Sequence, residues 1–262
     1  MKRVLIAAAA VTVAGVCSAQ AADLAARPYY AKAPAMVAAV YDWSGLYIGL
    51  NGGGGSSRSC LTLNSYFYDN TLSKAEGCHD ATGGTFGGQI GYRWQAANWV
   101  FGLEGQGNWA DFSGSSVSQF LNTDGPGSPG APDHFNRSRI ESFGLITGQV
   151  GYAFNNALVY VKGGVAVVDS KFDDVSAVHN KLIGDGTLYS SVSDTRWGGT
   201  VGAGLEVGLA PNWSIGAEYN HIFLGDRNVS FAANGGPYKA DNVRQDIDMG
   251  LVRLNYKFNG LR

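Results

Sequence analysis

The stretch Thr200-Val201-Gly202-Ala203-Gly204-Leu205-Glu206-Val207-Gly208-Leu209 decides the fold class. Val201, Ala203, Leu205, Val207 and Leu209 fall on one side of an extended chain, and Thr200, Gly202, Gly204, Glu206 and Gly208 on the other. That is a two-residue period, which a helix would scramble. Working outward, the same alternation recurs at 43–53, 85–94, 99–111, 140–154, 158–168, 196–210, 213–224 and 247–258. Eight strands are therefore expected. Their connections alternate in length: 95–98, 155–157 and 210–212 are tight, whereas 56–82, 112–138, 169–195 and 226–245 are long and polar. Short turns at one end and long loops at the other are the pattern of an antiparallel up-and-down barrel that crosses a membrane. The expected fold is all-β, an eight-stranded antiparallel transmembrane barrel, with periplasmic turns and extracellular loops.

The start of the chain fits export. Lys2-Arg3 precedes an apolar run, 4–16, and Ala19-Gln20-Ala21 has the small-x-small form that a signal peptidase cleaves, which places the cut between Ala21 and Ala22. The run is too short for a membrane-spanning helix, which needs about 20 residues, so membrane insertion falls to strands. Val16 precedes Cys17, where a lipoprotein signal needs a small residue, and Cys17 leaves with the signal peptide. Residues 22–42, rich in Ala with Pro28 and Pro34, read as a periplasmic lead-in, and 43–262 as the barrel domain.

Composition narrows the class. With 12% aromatic and 15% charged residues, the chain is too aromatic and too weakly charged for a disordered one, and its 38 glycines show no collagen period. Removing Lys2 and Arg3 leaves 17 basic residues against 21 acidic, a net charge of −4, which gives no reason to expect nucleic acid. Cys60 and Cys78 share one expected loop. An oxidising compartment favours a loop disulfide between them, worth roughly 3 kcal/mol by chain entropy, with two unlinked thiols as the alternative.

Alternation does not say which face meets lipid, because a soluble lipocalin-like barrel is apolar inside. The charges discriminate. Glu104, Lys162, Glu206, Glu218 and Arg253 lie four to six residues into their strands, at similar height, where a basic side chain facing lipid would cost roughly 2–4 kcal/mol. Turned inward they can pair; Lys162 with Glu206 and Glu218 with Arg253 sit on neighbouring strands, and Arg93 joins the lumenal network from nearer the floor. Gly202, Gly204 and Gly208 leave room for them. Aromatics flanking the tight turns (Tyr92, Trp94, Trp99, Tyr152, Phe154, Tyr160 and Trp213) suit a bilayer interface, and Trp109, Phe112, Phe172, Trp197 and Phe223 form a candidate upper ring.

Taken together, Trp43-Ser44-Gly45-Leu46-Tyr47-Ile48-Gly49, Gly148-Gln149-Val150-Gly151-Tyr152-Ala153-Phe154, Val161-Lys162-Gly163-Gly164, Gly216-Ala217-Glu218-Tyr219 and Leu254-Asn255-Tyr256-Lys257-Phe258 resemble, in that order, the small alphaproteobacterial outer-membrane barrels of the surface-antigen and opacity-like porin family. The resemblance covers nearly all of the mature chain. It implies a bacterial outer-membrane location and assembly by the outer-membrane insertion machinery, which reads an aromatic-ended last strand. Tyr256 and Phe258 match that signal, but 259–262 follow where such proteins commonly stop.

No cofactor or metal site is expected. His79, His134, His179 and His221 are scattered over three expected loops and one strand without ligand spacing, and 51–55 lacks the Lys-Ser/Thr of a phosphate loop. A lipid-modifying Ser-His pair, Ser214 with His221, falls on opposite strand faces. The leading expectation is a structural, surface-exposed protein in contact with outer-membrane lipid and lipopolysaccharide; the alternative is a narrow diffusion channel.

Overall fold

A computed structural model describes residues 41–66, 74–117, 134–176, 187–233 and 236–258. The expected signal peptide with its Ala21-Ala22 cleavage junction, 22–40, His179 and 259–262 lie outside the described residues. Among those described, the chain forms eight strands: β1 Gly45–Tyr66, β2 Lys74–Ala96, β3 Trp99–Val117, β4 His134–Phe154, β5 Ala157–Ser176, β6 Thr187–Ala210, β7 Trp213–Ala233 and β8 Gly236–Lys257. Each pairs antiparallel with the next and β8 closes on β1, giving the expected barrel. Three two-residue turns, Ala97-Asn98, Asn155-Asn156 and Pro211-Asn212, join strands at one end; Ala97 and Asn155 each hold a φ of 54° there.

The register fixes the shape. Following opposed residues around the wall from Gly45 through Arg93, Gly102, Gln149, Lys162, Gly202, Asn220 and Met249 returns to β1 at Gly55, ten residues further on. With about 3.3 Å per residue and about 4.8 Å between strands, this stagger inclines the strands by about 40° to the axis. Each residue then adds about 2.5 Å of height.

The exposed apolar residues form a belt of matching size. It runs from Trp94, Trp99, Phe154 and Trp213 near the short turns to Phe86, Trp109, Trp197 and Phe223. Trp99 to Trp109 is ten residues, hence about 25 Å, the height of a barrel's lipid-facing band. The strands do not stop there. β1 continues from Gly52, opposite Phe86, to Tyr66, so the wall rises about 35 Å above the belt.

That extension corrects the expected loops. The described residues of the stretches 56–82, 112–138, 169–195 and 226–245 are strand, because the backbone ladder continues although the polarity contrast fades; Ser56-Ser57-Arg58-Ser59, polar on both faces, is ladder. Cys60 and Cys78 are accordingly joined not within a loop but as directly opposed residues of β1 and β2, with Cα atoms 4.1 Å apart.

Because the bond closes an 18-residue span, its loss is expected to cost about 3 kcal/mol at most, felt locally. Hydrogen exchange before and after reduction is the check: amides of β1 and β2 beyond Ser56 and Thr82 should lose protection while those of β6 keep theirs. Unchanged protection at the β1–β2 tip would refute a local stapling role.

Candidate functional site

The lumen is filled in layers, and the lowest is apolar. Tyr41, Trp43, Val100, Ala153, Leu158 and Tyr160 pack together at the short-turn end. Tyr41 and Asp42, expected in the lead-in, thus enter the barrel mouth. The Trp43 amide donates to Gln95 Oε1 at 2.8 Å, and Lys257 Nζ donates to the Asp42 carbonyl. Gly208 must be glycine for this plug, since a Cβ would stand 2.3 Å from the Tyr41 ring.

Above the floor, six buried charges balance three against three. Glu104, Lys162, Glu218 and Arg253 form a closed cycle in which each carboxylate takes both cations. Lys162 Nζ lies 3.1 Å from Glu104 Oε1 and 2.6 Å from Glu218 Oε1, and Arg253 reaches the second oxygen of each. Tyr47 and Tyr160 donate to Glu104 and Glu218 at 2.6 Å, so the hydroxyls add charge-assisted bonds. Arg93 binds Glu206 through two parallel bonds of 3.1 and 2.8 Å, with Ser214 and Asn255 also donating to that carboxylate. The Arg93 guanidinium lies 4.4 Å over the Tyr47 ring.

The expected Lys162–Glu206 pair does not form. Lys162 is opposite Gly202, and Glu206 is opposite Leu158, nearer the short-turn end. Counting residues from the nearest turn misjudged height, because β6 runs three residues past the start of β5 before it turns. Glu218 and Arg253 do meet.

Higher still, amides link into a chain. Asn51 donates to Gln89 at 2.7 Å, Gln89 to Asn255 at 2.7 Å and Asn108 to Asn51 at 2.6 Å. Over them sits an apolar plug that the sequence reading did not anticipate, built by Phe112, Ile140, Leu145, Val168, Ile222, Ile247 and neighbours. Its signal was available: Ile222 shares strand parity with Glu218, and Ile247 with Arg253. Beyond this plug, Arg196 bonds Asp194 at 2.7 Å and lies over Phe172, His79 shares a 2.7 Å hydrogen bond with Ser138, and Leu61, Phe172, Val229 and Val243 form a further apolar cluster.

The remaining site residues divide by face. Tyr92, Trp94, Trp99, Tyr152, Phe154 and Trp213 lie on the outer wall, in contacts such as Trp99–Tyr152 at 5.4 Å and Trp213–Tyr256 at 5.0 Å between centroids. Tyr256 also packs on Phe258. Tyr160, Phe112 and Phe172 do not belong to the rings: all three are buried in the lumen, as parity with Lys162 and Glu104 dictates. His79 and His134 prove to be strand residues rather than loop ones. Ser214 faces inward onto Glu206, while His221 faces outward, its Nδ1 2.7 Å from Asp248.

Removing one partner of a buried ion pair is costly, about 3–5 kcal/mol, whereas removing both costs less. Glu206→Gln, which leaves the Arg93 charge uncompensated, is expected to lower the urea midpoint of the folded barrel clearly. Adding Arg93→Met should recover part of the loss. Additive losses in the double variant would contradict the pairing.

With this geometry in view, the family model and the sequence relatives agree. Residues 7–258 match the family model described as outer membrane protein beta-barrel domain. The chain is 33% identical over 269 residues to the 31 kDa outer-membrane immunogenic protein of Brucella melitensis biotype 1, an alignment covering 98% of this chain and all of that one. It is 30% identical over 168 residues to the 22 kDa outer membrane protein of Rhizobium leguminosarum bv. viciae, covering 63% and 64% of the two chains. Among solved structures, the outer membrane protein OprG from Pseudomonas aeruginosa aligns over 83% of this chain and 97% of its own, with 16% identity and a TM-score of 0.46. The chain belongs to the outer membrane protein β-barrel family and resides in the bacterial outer membrane.

Proposed function

We propose that this protein is a closed, non-conducting barrel that serves as a pedestal, raising the segments between its strands well above the cell surface. The observation that carries this reading is the filled lumen. An eight-stranded wall leaves an interior about as wide as its own side chains, and here an aromatic floor, a neutral ionic cycle and an apolar plug succeed one another along the axis. An ion crossing that plug would have to shed its water without compensation, which is prohibitive. That cost favours the closed reading over a narrow diffusion channel.

The long end faces the exterior in this reading, since short turns lie on the periplasmic side of such barrels. The Brucella relative's name, an immunogenic outer-membrane protein, supports exposure of that end. The aromatic ends of β7 and β8, where Trp213 packs on Tyr256 and Tyr256 on Phe258, suit recognition by the insertion machinery. No catalytic step enters the proposal: Ser214 and His221 stand on opposite faces, and the outward neighbours of His221 on its strand are Tyr219 and Phe223 rather than a serine or cysteine.

Two measurements on the full-length protein test this reading together. In planar bilayers it should give no reproducible conductance steps, and an epitope inserted between β3 and β4 should be labelled by antibody on intact cells. Stable unitary steps would overturn the closed lumen, and labelling only after the cells are opened would overturn the orientation.

A further inference from the structure

The bond between Cys60 and Cys78 lies on the outside of the wall. Ser59, Leu61 and His79, chain neighbours of the two cysteines, are buried in the lumen, so strand alternation turns both sulfurs outward. Cys78 is exposed and Cys60 half-buried. Gly52, opposite Phe86 at the upper edge of the apolar belt, lies eight residues before Cys60, which sets the bond about 20 Å clear of the belt, in water rather than lipid. A disulfide inside a core is out of reach of thiols, whereas an exposed one is open to exchange.

The two sulfurs are unequal targets. A thiolate displaces one sulfur of a disulfide in line, approaching from the side away from the other, and access decides which is attacked. Because the bond spans β1 and β2, attack on Cys60 comes from the β8 side and attack on Cys78 from the β3 side. Arg244 occupies the first approach: it stands directly opposite Cys60 on β8, its side chain turned outward beside the sulfur and 70% exposed. On the second approach the β2–β3 ladder ends at Thr82 and Ser113, four residues short of Cys78, and the outward β3 residues Ser113 and Ser115 are small. The described charges nearby are mixed. Arg58 stands between Asp80 and Asp246, and Arg244 opposes Asp226 and lies 3.9 Å from Asp246, so charge selects neither sulfur and room selects Cys78.

We propose that Cys78 is a covalent capture site for low-molecular-weight thiols. The incoming thiolate bonds to Cys78 Sγ, the bond to Cys60 breaks, and its electron pair leaves on Cys60 as a thiolate beside the Arg244 guanidinium, which favours the departing charge. One disulfide is exchanged for another, so nothing beyond the thiol itself enters the step. Capture also releases the β1–β2 tip from its staple, which couples the chemistry to the shape of the raised end. The inference rests on the orientation given under Proposed function only for the source of the thiol, outside the cell; the exchange does not depend on it.

The test exposes the full-length, folded protein in detergent to reduced glutathione, stops exchange in acid, where the attacking thiolate is lost, and maps adducts by mass spectrometry after digestion in acid. At early times glutathione is expected on Cys78 about tenfold more often than on Cys60, with the heat-dependent gel shift of the folded barrel retained. Arg244→Ala, on an exposed side chain, opens the approach to Cys60 and should raise the share of Cys60 adducts about fivefold. Arg139→Ala, on the outer wall of β4, should leave the ratio as in wild type. Intact cells treated with glutathione should carry the same Cys78 adduct; an adduct formed in detergent but not on cells supports the capture site and overturns the orientation. Adducts shared evenly between the sulfurs or favouring Cys60 in wild type, an unchanged ratio in Arg244→Ala, or reaction only under urea that abolishes the gel shift would each overturn the proposal.

Discussion

In hydrocarbon there is no water to satisfy a peptide group, so a sheet that crosses a bilayer must close on itself. That closure governs the rest of this molecule. With eight strands and a stagger of ten residues the radius is fixed, and with it the width of the interior. Every second side chain must then occupy a narrow core. The protein meets that demand with residues of unequal size, setting Gly204 against Tyr160 and Gly208 against Tyr41, where a Cβ would collide with either ring.

What fills the interior follows from charge as much as from volume. Buried ion pairs recover little net energy once desolvation is counted, so the six lumenal charges are poor evidence of stability. They are good evidence of facing, because the alternative for each is acyl chain. Their arrangement as a neutral cycle plus a bidentate pair lets nearly every oxygen and nitrogen find a partner. The apolar plug above them gives the upper half of the lumen the character of a soluble protein's core. The wall therefore reverses polarity at the level of the ionic and amide layers, and is apolar on both faces at Leu145–Ile146 and Ile222–Phe223.

Much of this was legible in the sequence. Strand number, short turns and the inward direction of Glu104, Lys162, Glu206, Glu218 and Arg253 follow from period-two alternation plus the cost of a charge in lipid. The strand extensions were hidden because hydropathy marks a strand only where its two faces meet different surroundings; above the membrane, Ser57 and Arg58 differ little. Tyr160, Phe112 and Phe172 were assigned by residue type, although parity with charged neighbours on the same strands already placed them inside. The Lys162–Glu206 pairing failed for a deeper reason. Partner choice depends on stagger between strands, which is a property of the closed barrel and of no single segment.

The account stands on one reversal, apolar side chains outward and filled lumen inward along a single strand, and β6 tests it most directly. Spin labels placed singly at Val201, Ala203, Leu205 and Leu209 in bilayer-reconstituted protein should collide freely with oxygen and not with a water-soluble nickel reagent. Cysteine in place of the inward Thr200, a side chain of similar size, should resist a water-soluble thiol reagent in the folded barrel. Reaction there would reveal a water-filled lumen, and nickel access at the outward positions would contradict the barrel itself.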